Sequence, residues 1–94
     1  MFAIQAADDG SIVLAGRLDA ATVSVAREYL SQVETSARLD FSGLEYIASV
    51  GLGVLVACQR RLMDKGEGLI LTGLSPHLRE VLSLAGFEGI FAFE

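Results

Sequence analysis

The spacing of apolar residues divides the chain into eight short segments. Five of them are short apolar runs bounded by turn residues, which is typical of strands. The other three repeat apolar residues every three or four positions, which is typical of amphipathic helices. The predicted strands are Phe2–Ala6, Ser11–Ala15, Ala37–Phe41, Leu69–Thr72 and Ile90–Phe93. The order β-β-α-β-α-β-α-β predicts one α/β domain over residues 1–94, whose later strands pair in parallel.

Turn and capping residues set the predicted boundaries. Asp9-Gly10 between the first two strands indicates a hairpin. Asp19 is placed to cap the first helix, and Ser42-Gly43 is expected to turn the chain after the third strand. Ser75-Pro76 has a favoured N-cap residue followed by proline at the first helical position, and Gly86 is expected to end that third helix.

The second helix, predicted from Ser49 to about Lys65, begins with unusual residues. Its first half is apolar on nearly every side, so it is either buried or covered by another molecule. Gly51 and Gly53 each cost about 0.5–1 kcal/mol relative to alanine inside a helix. Either the first turn packs tightly on the sheet, or a partner approaches it closely.

Ser49 itself has two interpretations. Serine is among the favoured N-cap residues, and capping alone would explain it. A serine at a helix start is also well placed to carry a phosphate, because the first backbone N–H groups lack helical partners and the helix dipole favours negative charge.

Composition narrows the classes of function. The net charge is −5 and the basic residues are scattered, which argues against nucleic-acid binding. Without a signal peptide or an apolar run long enough to span a bilayer, a cytoplasmic protein with no direct membrane insertion is expected. The single cysteine, Cys58, is expected to be a small core residue.

Signals of enzyme chemistry are poor. His77 is expected to be an exposed residue at a helix start, and Asp8-Asp9 is expected to be turn chemistry. No Cys/His spacing suits zinc, and Gly51-Leu52-Gly53 lacks the third glycine of a dinucleotide fingerprint. The sequence predicts a binding protein with no catalytic residues, metal or cofactor.

The stretch Leu39–Leu55, with the letters LDFSGLEYIASVGLGVL, resembles the signature of STAS domains. Gly16–Asp19 is similar to the family's Gly-Glu-Leu-Asp segment before the first helix, and Leu74–Leu82 is similar to its third-helix start. The resemblance covers essentially the whole chain. It implies a mixed β-sheet with helices packed mainly on one face.

The resemblance implies a function in the antagonist branch of the family. There, the partner anti-sigma factor is an ATP-dependent serine kinase, a phosphatase reverses its action, and Ser49 occupies the phosphorylated position. The unphosphorylated form binds the anti-sigma factor and frees the sigma factor. The implied partner-binding residues are Asp19, Ala48, Ser49, Val50, Gly51, Gly53 and Val54.

Three positions depart from the family pattern. Ala48 replaces the aspartate before the serine, Val50 replaces a small residue, and Arg17 replaces a glutamate. The chain also ends at Glu94, before the C-terminal helix of the pattern. These features keep an alternative open: a non-phosphorylated accessory subunit of a lipid-transport ABC complex, gripping its ATPase, or a subunit of a stressosome-like scaffold.

Overall fold

A computed structural model describes residues 1–87 and 89–94, and it confirms the predicted order of elements. The strands are β1 (Phe2–Ala6), β2 (Ile12–Leu18), β3 (Ala37–Ile47), β4 (Leu69–Thr72) and β5 (Ala92–Phe93). The helices are α1 (Val23–Ser31), α2 (Ser49–Met63) and α3 (Pro76–Leu84). The last strand is therefore two residues shorter than the predicted run from Ile90.

The five strands form one mixed sheet in the order β1-β2-β3-β4-β5. β1 and β2 are an antiparallel hairpin, and each later pair is parallel, as predicted. Asp9 stabilises the hairpin turn, because its carboxylate accepts hydrogen bonds from both the N–H and the hydroxyl of Ser11. From β2 to β5 the chain moves across the sheet in one direction. Because crossovers between parallel strands are right-handed, all three helices then lie on one face of the sheet.

The third strand is longer than predicted, and the expected turn at Ser42-Gly43 is wrong. The strand continues to Ile47, and β2 accompanies it as far as Leu18. The register slips twice, between Val13 and Ala15 and between Gly16 and Arg17, where β3 uses one residue more than β2. These bulges interrupt the alternation of buried and exposed residues, so the pattern resembled a turn.

The third helix begins and ends as predicted. Ser75 is its N-cap, and the Ser75 hydroxyl accepts a hydrogen bond from the N–H of Leu78. At the other end, Gly86 follows the C-cap residue with a φ of 81°, a left-handed conformation that glycine adopts without strain. Sequence rules work here because both signals are local.

The core lies between the sheet and the helices. Its fully buried large side chains are Leu14, Leu18, Leu30, Leu39, Phe41, Leu55, Leu62, Leu69 and Leu71. Gln59 is the one polar side chain buried among the described residues, at 5% exposure. It accepts a hydrogen bond from the N–H of Leu69 and donates one to the carbonyl of Ile90, each at 2.7 Å. One side chain thus joins α2, β4 and the segment before β5.

Candidate functional site

The candidate site lies where β2 and β3 end side by side. Leu18 and Ile47 are register partners at the ends of these parallel strands. The N–H of Ala48 donates a hydrogen bond to the carbonyl of Leu18 at 2.8 Å. The loop that starts at Asp19 and the start of α2 therefore meet at the same edge of the sheet.

The start of α2 exposes Ser49 without using it as a cap. The N-cap is Ala48, whose backbone is extended and whose methyl group cannot accept a hydrogen bond. The Ala48 carbonyl accepts from the N–H groups of Gly51 and Leu52. Ser49 is the first helical residue, and its side chain is exposed. The interpretation of Ser49 as a capping residue is therefore wrong, and its hydroxyl faces solvent at the positive end of the helix.

The two glycines of the first turns have different surroundings. Gly51 is buried, and a Cβ added there would lie 2.7 Å from Leu18 Cγ and 3.1 Å from Ile47 Cγ1. Gly53 is exposed, and a Cβ added there would meet no atom within 4 Å. Packing on the sheet explains the first glycine only.

The Asp19 loop forms a hydrogen-bonded rim beside the start of α2. The Asp19 carboxylate accepts a hydrogen bond from the N–H of Ala21 at 3.1 Å and lies 3.2 Å from the Thr22 hydroxyl. That hydroxyl donates to the carbonyl of Arg17 at 2.9 Å. The N-cap of α1 is Thr22, so the prediction that Asp19 caps this helix is wrong. Asp19 instead holds the loop shape before the helix begins.

Thr22 also contributes to this loop, although it is not among the site residues predicted from the sequence. Its hydroxyl also accepts the N–H of Asp19 at 3.0 Å, so it closes the turn from both directions. The spacing Asp-x-x-Thr was the signal available in the sequence. Arg17 completes the rim: its guanidinium lies 4.4 Å from the centre of the Tyr46 ring and 4.0 Å from the Asp19 carboxylate.

A groove of about 460 Å³ runs between α1 and α2 on the outer surface. We call it the helix groove. Its lining residues are Arg27, Leu30, Ser31, Val50, Gly53, Val54, Ala57, Cys58 and Arg61. Three of the predicted partner-binding residues, Val50, Gly53 and Val54, therefore line one groove. Val54 is only 7% exposed, whereas the apolar Val50 is 44% exposed.

A family model described as "Mlab, STAS domain" matches residues 2–92, which is nearly the whole chain. The chain belongs to the STAS domain family. The family resemblance inferred from residues 39–55 is thereby confirmed, and the sheet and helix order agree with it.

This STAS chain is similar to two named bacterial proteins. BtrV of Bordetella bronchiseptica is 39% identical over 67 residues, which are 68% of this chain and 58% of that protein. The anti-sigma-B factor antagonist of Listeria monocytogenes is 31% identical over 87 residues, which are 88% of this chain and 76% of that protein. The chain thus spans less than two thirds of BtrV.

A solved structure has the same STAS fold. The phosphorylated form of SpoIIAA, described as a Bacillus cell fate determinant, superposes with a TM-score of 0.71 at 23% identity. The superposition covers all of this chain and 91% of that one. At this identity the likeness establishes the fold alone.

Two other residues considered from the sequence are placed as expected. Cys58 is in the core as predicted, and burial raises the pKa of its thiol. His77 is exposed in the first turn of α3, as expected. Over residues 1–87 and 89–94, the structure has no cluster of metal-ligating side chains, and none of its helices has the length and hydropathy of a membrane span.

Proposed function

We propose that this STAS domain is an anti-sigma factor antagonist that is switched by phosphorylation of Ser49. In this proposal it binds an anti-sigma factor with serine-kinase activity, and a serine phosphatase reverses the modification. The observation that carries the proposal is the position of Ser49, whose hydroxyl is exposed at the first residue of α2. The resemblance to the family signature aligns this serine with the phosphorylated position.

The surroundings of Ser49 support both states of such a switch. A phosphate would add about −1.5 to −2 charges at the positive end of α2, where the helix dipole stabilises negative charge. The neighbouring Val50 and Gly53 are exposed and carry no charge. A partner seated on this apolar surface would exclude water, so a phosphate there would lack compensation and the complex would dissociate.

The named relatives support the choice of partner. The Listeria protein is named an anti-sigma-B factor antagonist, and SpoIIAA has been solved in a phosphorylated form. We infer a role as a binding module, in which the chemistry belongs to the partner kinase and the phosphatase. Asp19, Ala48 and Gly51 then shape the edge of the site, while Ser49, Val50 and Gly53 present its surface.

The test uses the purified protein with an anti-sigma factor kinase from the same organism. Binding is measured by calorimetry for the native protein, Ser49→Ala and Ser49→Asp, and phosphorylation with ATP is mapped by mass spectrometry. Ser49→Asp should bind at least about thirtyfold more weakly, because an uncompensated charge in an interface costs about 2 kcal/mol or more. Ser83→Asp is the matched control, since Ser83 is an exposed serine on α3.

The switch would be rejected if Ser49 acquired no phosphoryl group, or if Ser49→Asp bound as well as the control. Ser49→Ala should retain binding but resist the kinase. Loss of binding in Ser83→Asp as well would indicate a general effect of charge rather than a site.

A second candidate function is favoured by Ala48. The family aspartate before the serine is absent there, and the matching family model carries the name Mlab. In this alternative, the domain is a non-phosphorylated accessory subunit that grips a transporter ATPase or joins a scaffold. Ser49→Ala and Ser49→Asp would then both be nearly silent, whereas Gly53→Glu would abolish complex formation. Co-purification with a neighbouring ATPase or scaffold subunit distinguishes this alternative from the kinase.

A further inference from the structure

We propose that the helix groove receives an acidic amphipathic helix of the partner protein. This deepens the proposed function, because it takes the partner to be the same anti-sigma factor that covers Ser49. The groove begins beside that serine: Val50 and Gly53 line one end, and Arg61 lies at the other. The groove is therefore continuous with the start of α2, and a partner bound there can extend into it.

The shape of the groove favours a helix over a compact ligand. From Val50 to Arg61 the wall follows α2 for about 16 Å, which is about three helical turns at 1.5 Å per residue. Gly53 and Ala57 lie four residues apart on this wall and both are exposed. Two such small residues on one ridge allow the backbone of another helix to approach closely.

The floor of the groove is apolar. It consists of Leu30, Val54 and Cys58, which are buried, with Ala57 and Val50 more exposed beside them. This surface suits apolar side chains at positions i, i+3, i+4 and i+7 of an amphipathic helix.

The charged side chains at the rim of the groove are positive, so they favour a helix that carries acidic residues. Arg27 and Arg61 line the groove, and no carboxylate does, although the whole chain carries 12 acidic and 7 basic residues. The Arg61 guanidinium is held in place by donating to the carbonyl of Leu30 at 2.7 Å. Glu34 lies 3.6 Å from it but also pairs with Lys65, so this end retains an excess positive charge.

The test uses a synthetic, side-chain-stapled helical peptide with leucines on one face and glutamates flanking them. Its control is the same peptide with lysines in place of the glutamates. In titrations followed by ¹⁵N–¹H NMR, the acidic peptide should shift the amides of the groove-lining residues, and the lysine peptide should bind about tenfold more weakly. Equal binding of the two peptides, no binding of either, or shifts elsewhere on the surface would overturn the proposal.

Variants localise the effect. Arg27→Glu should weaken binding of the acidic peptide about fivefold, and more at low salt, because repulsion replaces attraction at the rim. Arg60→Glu makes the same charge change on the exposed side of α2, outside the groove, and should change binding less than about twofold. Similar effects of the two variants would show that only the net charge matters and would overturn the proposal.

A second pair of variants tests the full partner. Ala57→Phe fills the groove two turns from Ser49, and Val25→Phe adds the same ring to an exposed position of α1 that does not line it. Ala57→Phe alone should weaken binding of the anti-sigma factor, by about tenfold or more. Normal binding by Ala57→Phe would overturn the groove as the docking site, even with the Ser49→Asp effect intact. Peptide binding in the groove without any Ser49→Asp effect would reject the switch instead.

Discussion

Gly53 separates a requirement of the fold from a requirement of binding. Gly51 lies against Leu18 and Ile47, so the fold needs a residue without a side chain there. Gly53 has open space where a side chain would stand, and the fold loses helix stability by keeping glycine. The fold does not require glycine at position 53, whereas a partner that approaches the helix closely could require it.

The substitution Gly53→Ala should therefore stabilise the protein and weaken its complex. The free energy of unfolding should rise by about 0.5–1 kcal/mol, because alanine restricts the unfolded chain and favours the helix. Urea denaturation measures this change, and calorimetry with the proposed anti-sigma factor partner measures the weaker binding. Unchanged affinity would show that no partner backbone approaches this position.

Gly51→Ala is the matched control for that substitution. Its new methyl group would meet the Leu18 side chain at 2.7 Å, so the unfolding free energy should fall rather than rise. A stabilising Gly51→Ala would contradict the assignment of this glycine to packing on the sheet.

The start of α2 could be predicted from the sequence, but the hydrogen bonding around it could not. Ser49 and the two glycines define a helix start, and the helix begins there. Which residue occupies the N-cap position depends on where β3 ends, and that end is fixed by pairing with β2. Asp19 does not cap α1, because the loop that it closes continues for three residues before the helix begins.

At the level of elements, Gln59 connects parts of the fold that are distant in sequence. Its amide contacts the start of β4 and the carbonyl of Ile90, so α2 cannot shift against either without losing a buried hydrogen bond. Gly68 lies beside the same amide, at 3.5 Å from its Nε2 to an added Cβ. This buried contact anchors the C-terminal half of α2.

The substitution Gln59→Leu should lower the free energy of unfolding by about 1–3 kcal/mol, because a buried N–H and a carbonyl would each lose a partner. The control is Arg60→Leu, at the next residue of α2, whose side chain is exposed. It should change the free energy of unfolding by less than about 0.5 kcal/mol. Both are measured by urea denaturation. Equal effects of the two substitutions would show that the Gln59 hydrogen bonds add nothing net.

Elements with local signals were predicted best. The helix start at Ser75-Pro76 and its end before Gly86 need only neighbouring residues, and both are confirmed. The extent of β3 depends on two bulges opposite β2, which no local pattern encodes. Gly43 fits there because it lies beside Ala15, where a larger residue would press on the neighbouring strand. Gly43 is therefore a point of close contact between strands and not the turn residue predicted from the sequence.

For the whole molecule, surface carboxylates tie distant segments together. Glu67 accepts the N–H of Ser36, Glu94 pairs with Arg38, and Glu34 accepts a hydrogen bond from Lys65. These hydrogen bonds lower the pKa of each carboxyl group below its ordinary value of 4.5. They join the segment between α1 and β3 to the segment between α2 and β4, and they join β3 to the C-terminus.

The folded protein should therefore lose stability in acid. Because the folded pKa of each group lies below the unfolded one, its contribution is complete above about pH 4.5 and is lost as the pH falls through the folded pKa. The urea midpoint should be lower at about pH 3.5 than at about pH 6. Glu67→Gln should show a smaller difference between the two pH values, and an identical midpoint at both in the native protein would contradict the expectation.

The two ends of α2 differ in how easily they open. At one end Gln59 fixes the helix, whereas at the other Ala48 offers no side-chain cap and two glycines favour the unwound chain. Local opening, the process that hydrogen exchange detects, costs least in such a segment. The hydrogen bond from Ala48 to Leu18 is the point at which unwinding would stop. The amide hydrogens of the first turn of α2 should then exchange faster than those around Gln59, through a local opening that does not depend on the stability of the whole domain.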